Sequence, residues 1–335
     1  MRRVPAIMRR ASLEWKGAAL VLALAVLLTA PAPAAAQSAI AELHQRCAAG
    51  AGEELSSLCL QSALATHTLH GGLGLLVAAG GSHPVSPSTA GRRMEARPRI
   101  VVDGGLSLAS VNHLDLSRAE AGPRETRSTF VAGRLTAAAG IFDGFSLAPT
   151  VGGVGSLDGV LTLRVVRLPG SDGFSGTAAS VGAGVRLGVF RESFSLPGVT
   201  LTAIHHRPGT IRYGDLEETG RRMVLEPRVT SARLEVGKDM LAMGVIAGAG
   251  LDRMSGRARI GARTGTQEGA AGPVSLTQTR RYLFAGLNYT WLVTQVSGEL
   301  AWSPGRGVGE DVEVPAGIRT DAGGLQAALT FRVTY

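Results

Sequence analysis

The sequence predicts an all-β fold, an antiparallel transmembrane β-barrel of about ten strands preceded by a short helical segment. Three observations lead there. From Ile100 onward, apolar residues alternate with polar or small ones in one segment after another, the pattern of a strand with one apolar face. No segment beyond the N-terminal region approaches the ~18 consecutive apolar residues of a spanning helix. The chain opens on an export signature, and a closed barrel is then the spanning structure left, because closure pairs every backbone amide and carbonyl between strands where lipid pairs none.

Taken in order, residues 1–36 read as a cleavable secretory signal. Arg2, Arg3, Arg9, Arg10 and Lys16 precede an apolar run from Gly17 to Ala30, and small residues place cleavage after Ala36. The run is shorter than the ~20 residues of a membrane anchor. The twin arginines lack a convincing twin-arginine consensus, so the general secretory (Sec) route is expected. Loss of this segment removes five basic side chains and Glu14, which lowers the formal charge from +8 to +4. Both signs of charge are spread along the rest of the chain, and no nucleic-acid footprint results.

Residues 37–81 carry helical spacing in Ile40, Leu43, Cys47, Leu55, Leu58, Cys59, Ala63 and Thr66, and are expected as an amphipathic helical element on the periplasmic side. Cys47 and Cys59 are the only cysteines. In an exported chain they are expected to close a helical hairpin as a disulfide, whereas a metal site or redox pair would want CxxC spacing or more ligands nearby. Residues 82–99, with three prolines and four arginines, read as a linker to a barrel over 100–335.

Strands are expected near 100–115, 127–142, 158–168, 177–191, 198–213, 223–237, 240–254, 279–291, 294–302 and 322–335. An even count brings both barrel ends to one side. If the glycine-rich stretch 145–157 is itself a hairpin, the count becomes twelve. Short connections at 194–198, 237–239 and 292–294 alternate with longer ones at 214–222, 255–278 and 303–321, the asymmetry of inner turns and outer loops. Aromatics are scarce, at 4%, but Phe142, Phe145, Phe190, Phe194, Trp291 and Tyr335 gather at the ends expected on the periplasmic side, with Tyr213 and Trp302 near the opposite rim.

The last strand places Leu325, Ala327, Leu329, Phe331, Val333 and Tyr335 on one face and then stops on an aromatic. This ending resembles the C-terminal insertion signal of bacterial outer-membrane β-barrel proteins, with Phe331, Val333 and Tyr335 as its apolar positions. The resemblance implies a Gram-negative outer-membrane location, contact with outer-membrane lipid and lipopolysaccharide, and handling by the barrel-assembly machinery. It names no solute and no specific family.

Asp103, Arg164, Arg186, Arg233, Glu235, Asp252, Glu299 and Arg332 lie on the polar strand faces and are expected to form a charge network within the lumen, since an unpaired buried charge costs several kcal/mol. A barrel this narrow is expected to be filled, with a structural or surface-interaction role. The alternative is a small solute channel whose arginines favour anions, plugged by residues 37–80. An enzyme is not expected. His113, His205, His206, Asp215, Glu217 and Glu218 are the residues that acid–base or nucleophilic chemistry would use, but the two adjacent histidines face opposite ways and the motifs of outer-membrane proteases and phospholipases are missing. No cofactor motif occurs, and His67 with His70 on a helix is read as a solvated face rather than a metal site. Arg253, Arg257, Arg259, Arg263, Arg280 and Arg281 face only Glu268 over 253–281, and lipid phosphate is the contact expected for them.

Overall fold

A computed structural model describes residues 35–77, 93–94, 97–117, 124–146, 152–194, 196–304 and 323–334. The secretory signal and most of the linker lie outside the described residues, as does Tyr335. Ten antiparallel strands close into a barrel: β1 Ile100–Leu114, β2 Glu125–Phe142, β3 Ser156–Arg167, β4 Thr177–Phe190, β5 Gly198–Pro208, β6 Arg221–Met240, β7 Met243–Thr264, β8 Gln267–Trp291, β9 Thr294–Ser303 and β10 Gly324–Thr334. Each strand pairs with the next, and β10 returns to β1 with Arg332 opposite Asp103 and Leu329 opposite Leu106. Both barrel termini therefore sit at one end, called here the terminal end. The stretch 145–157 contributes only a Phe145–Val154 bridge among the described residues, so the barrel has ten strands and not twelve.

Two segments differ from the expected elements. Residues 255–278 form a hairpin rather than a long loop, since β7 and β8 stay paired until Thr264 opposite Gln267. Met254, Ala258, Ile260 and Ala262 remain buried while Arg253, Arg257 and Arg259 point outward. Alternation thus persists where the exposed members turn from apolar to cationic. The expected strand 198–213 is interrupted at Gly209, and Ile211–Tyr213 pairs separately with Met223–Leu225 of β6.

Outside, Leu106, Leu135, Leu163, Val185, Val245, Leu287, Leu300 and Leu329 are exposed and form a belt. On β7 it runs from Met243 to Leu251, a height of about 21 Å at ~3.4 Å per residue and ~40° tilt, close to the ~25 Å apolar band of membrane barrels. Phe142, Phe145, Phe194 and Trp291 stand exposed along its terminal-end border, and Trp302 is exposed near the opposite border. Tyr213 is not a rim aromatic. It is fully buried, stacks on Phe174 with centroids 4.2 Å apart, and donates its hydroxyl to the Leu114 carbonyl.

The helices are α1, Ala35–Cys47, and α2, Glu53–Val77, joined at one end by the Cys47–Cys59 disulfide. They pack on inward strand faces: α1 on β8 and β7, α2 on β7, β1, β6 and β8. α2 is apolar on most of its circumference, as a helix enclosed on all sides should be, and Leu55, Cys59, Ala63, Leu64, Leu69 and Leu76 are all buried. The disulfide end lies against Gly269, near the β7–β8 turn and remote from the terminal end. The described part of the segment, residues 35–77, thus occupies the half of the lumen far from the terminal end. Spacing in the helices revealed an apolar surface to cover but not which wall would cover it.

Candidate functional site

The lumen has two layers. In the far half, inward apolar residues of the wall, among them Val111, Phe130, Met223, Met254, Ile260 and Leu276, join the buried residues of α1 and α2 in one continuous core. In the half nearer the termini, most inward positions are charged or polar, with Ile246, Phe284 and the small apolar cluster of Ala138, Val160 and Ile204 among them.

The charged layer is interlocked across strands. Arg233 holds Glu299 through two nitrogens, Nη1–Oε1 at 3.0 Å and Nη2–Oε2 at 2.6 Å, and reaches Glu235 Oε2 at 3.1 Å. Its guanidinium lies 3.4 Å from the centroid of the Phe284 ring. The planar fork matches a carboxylate with two parallel bonds and leaves a face free to stack, which an ammonium could not do. Arg186 Nε lies 3.3 Å from Asp158 Oδ2, and Arg332 Nη1 donates to Gln295 Oε1 at 3.2 Å. Asp103 meets Arg134 Nη1 at 3.0 Å, and Arg134 also donates to Thr330 Oγ1 at 2.9 Å.

Two arginines join the layers. Arg164 Nη1 donates to the Leu76 carbonyl at 2.7 Å, and Arg280 Nη1 to the Gly71 carbonyl at 2.8 Å. Leu76 is one of the last four carbonyls of α2, which lack helical partners and sit where the helix dipole favours a cation, and Gly71 lies little more than a turn before it. Asp252 stands beside Arg280 in the β7–β8 register and packs against Gly74. Glycines bring α2 this near the wall: a side chain at Gly72 would overlap Val111.

All eight charged residues expected in the lumen are buried on inward strand faces. The structure adds Arg134, Asp158 and Arg280, which sequence reasoning missed. Arg134 shares the parity of the buried Ser128, Phe130 and Thr136 on β2, so its direction was available from alternation alone. Arg280, expected with its neighbours in 253–281 to meet lipid phosphate, instead points inward to α2, because β8 runs on past it to Gln267 and alternation turns its side chain to the lumen. With these additions six arginines and five carboxylates make up this layer, a near balance, while a seventh buried arginine, Arg221 of β6, donates to Gln61 of α2 in the far half. Phe331 points outward and is exposed at the end of β10, with Val333 two residues on along the same face.

The residues considered for chemistry are dispersed. His113 is buried, its Nδ1 2.9 Å from the Leu114 carbonyl and its Nε2 2.8 Å from Ser128 Oγ, and Ser128 donates to Asp172 Oδ2 at 2.6 Å. The carboxylate orients the serine rather than the imidazole, the reverse of a nucleophile relay, and Ser128 is inaccessible. His205 faces outward to Thr230 Oγ1 at 2.9 Å while His206 is buried inward. In the far-end loop, the backbone N–H groups of Glu218 and Glu217 donate to Asp215 and hold its carboxyl below the usual range. His67 and His70 are buried in the lumen rather than solvated, with His67 Nδ1 2.7 Å from Gln278 Nε2. Among the described residues, no group of three or more His, Cys, Asp or Glu is placed to hold a metal.

No protein-family model matches the chain, and no curated protein matches it. Among solved structures, it is similar to the translocator domain of the autotransporter NalP from Neisseria meningitidis, at 10% identity and TM-score 0.42, covering 72% of this chain and 89% of that one. It is also similar to neisserial surface protein A, at 10% identity and TM-score 0.27 over 70% and 97% of the two chains. The outer-membrane protease OmpT from Escherichia coli is similar at 10% identity and TM-score 0.34, over 71% and 97%.

Proposed function

We propose that the chain is an integral outer-membrane barrel with a permanently filled lumen, whose role is structural or in surface interaction rather than conduction. The observation that carries this is the occupancy of the lumen by two complementary layers, an apolar helical plug above an interlocked set of charges. The belt height and the turn-side aromatics support membrane insertion, and the C-terminal strand carries the apolar positions expected to engage the assembly machinery. In this reading the terminal end faces the periplasm, as in bacterial barrels of even strand number. The far-end hairpins and the disulfide tip of the plug then face the exterior.

A channel would need the plug to leave. Release would expose the buried face of α2 and strip two arginines of their carbonyl partners, and the near balance of charge beneath would offer little preference for anions. The test is single-channel recording of the refolded mature protein in a planar bilayer, after heat-modifiable migration has confirmed folding. Electrical silence is expected, together with steady steps once residues 37–77 are deleted. Steady conductance from the intact protein overturns the reading.

A further inference from the structure

The outward face of β6 and β7 beyond the belt is unusually cationic. Arg222, Arg228, Arg253, Arg257 and Arg259 are exposed there, with Arg281 beside them on β8 at the level of Leu251. Glu226 is the one carboxylate between the belt and Gly261 on this face among the described residues. Arg257 Nη2 at 2.8 Å and Arg259 Nη1 at 2.9 Å both donate to it.

The register makes the arrangement costly for the protein alone. Thr230 lies opposite Arg253, Arg228 opposite Ser255 and Glu226 opposite Arg257, so Arg228 has an arginine on each diagonal. Long side chains on such diagonals reach one another, and like charges there repel. An anion from outside the chain would offset that repulsion.

Two geometric facts select the anion. The arginines point sideways, into whatever surrounds the barrel wall, and they begin two residues above Leu251, the last apolar residue of the belt on β7. They continue six residues to Arg259, about 16 Å along the barrel axis at ~3.4 Å rise and ~40° tilt. A phospholipid headgroup layer is only ~5–7 Å thick. The partner must be anchored in the leaflet yet carry anionic groups well above it.

We propose that this face binds a phosphorylated glycolipid of the outer leaflet, of the lipopolysaccharide class. Arg228 and Arg253 take the phosphate nearest the acyl chains, and Arg259 and Arg222 take anionic groups of the saccharide above, guanidinium forks being suited to two-point phosphate contacts. The proposal rests on the orientation given above, in which the far end faces outward.

Native mass spectrometry of the folded mature protein in detergent tests it, using bisphosphorylated lipopolysaccharide, the same lipid after phosphatase treatment, and a soluble sulfated polysaccharide. Phosphorylated lipid is expected to bind at least about tenfold more tightly than either alternative, and R228Q/R253Q is expected to lose about that factor. R127Q/R167Q, which alters exposed arginines on the wall of β2 and β3, is expected to bind as the parent does. Equal binding of the dephosphorylated lipid, an unaffected R228Q/R253Q protein, or an equal loss in R127Q/R167Q overturns the proposal. Equal or tighter binding of the soluble polysaccharide overturns it in favour of a free polyanion. Orientation is read separately by labelling a tag in the Gly265–Thr266 turn on intact cells, and filling by conductance, neither of which depends on binding in detergent.

Discussion

Replacing Arg233 by methionine removes the one cation shared by Glu235 and Glu299 while keeping the stem of the side chain. In the intact protein both carboxylates are buried, the Glu299 pair is bidentate, and the guanidinium stacks on Phe284. Removing one member of a buried pair costs about 3–5 kcal/mol, because the remaining charge is left without compensation. Loss of the stacking contact adds on the order of 1 kcal/mol. With a urea dependence of ~3 kcal/mol per molar, the unfolding midpoint is expected to fall by about 1.3–2 M. Urea titration in lipid vesicles, followed by fluorescence of Trp291 and Trp302 and by heat-shifted mobility, measures it. Adding E235Q and E299Q to R233M removes both stranded charges and is expected to recover most of the loss, which separates uncompensated charge from lost packing. An R233M protein within about 1 kcal/mol of the parent refutes the account of a structural charge network, and so does a triple variant no more stable than R233M.

Three further outcomes follow from the same geometry. C47S/C59S opens a loop with a sequence separation of 12 residues and is expected to cost about 2–3 kcal/mol, with hydrogen exchange rising first in residues 40–60. R164Q/R280Q removes the cations from the Leu76 and Gly71 carbonyls of α2, and exchange over residues 66–77 is expected to accelerate while the strands stay protected. G250A drives a methyl group into the buried Tyr282 ring and is expected to destabilise by about 1–3 kcal/mol. G298A, which meets nothing within 4 Å, is expected to be neutral or to stabilise by roughly 0.5 kcal/mol through the unfolded chain; equal midpoints for these two glycine variants contradict the packing seen at Tyr282.

Strand identity was legible in the sequence because alternation is a local property. A strand enclosed by one medium outside and another inside must repeat every two residues, so the inward direction of Asp103, Arg186 or Arg332 could be read from parity, and so could that of Arg134. The disulfide was legible because an exported chain with two nearby cysteines has few other uses for them. Which charges meet was not legible. Arg134 finds Asp103 on the neighbouring strand, and Arg233 finds Glu299 from 66 residues away; both depend on which strands are neighbours and on how far residues reach across a closed lumen. The extent of β7 and β8 was hidden where the outward residues changed from leucine to arginine, because hydropathy reports the surrounding medium and not the backbone. The place of α1 and α2 was decided only by closure: an apolar helix surface specifies that it must be covered, while the diameter of the barrel, the glycines that let α2 approach the wall, and the arginines waiting at its Leu76 and Gly71 carbonyls specify where.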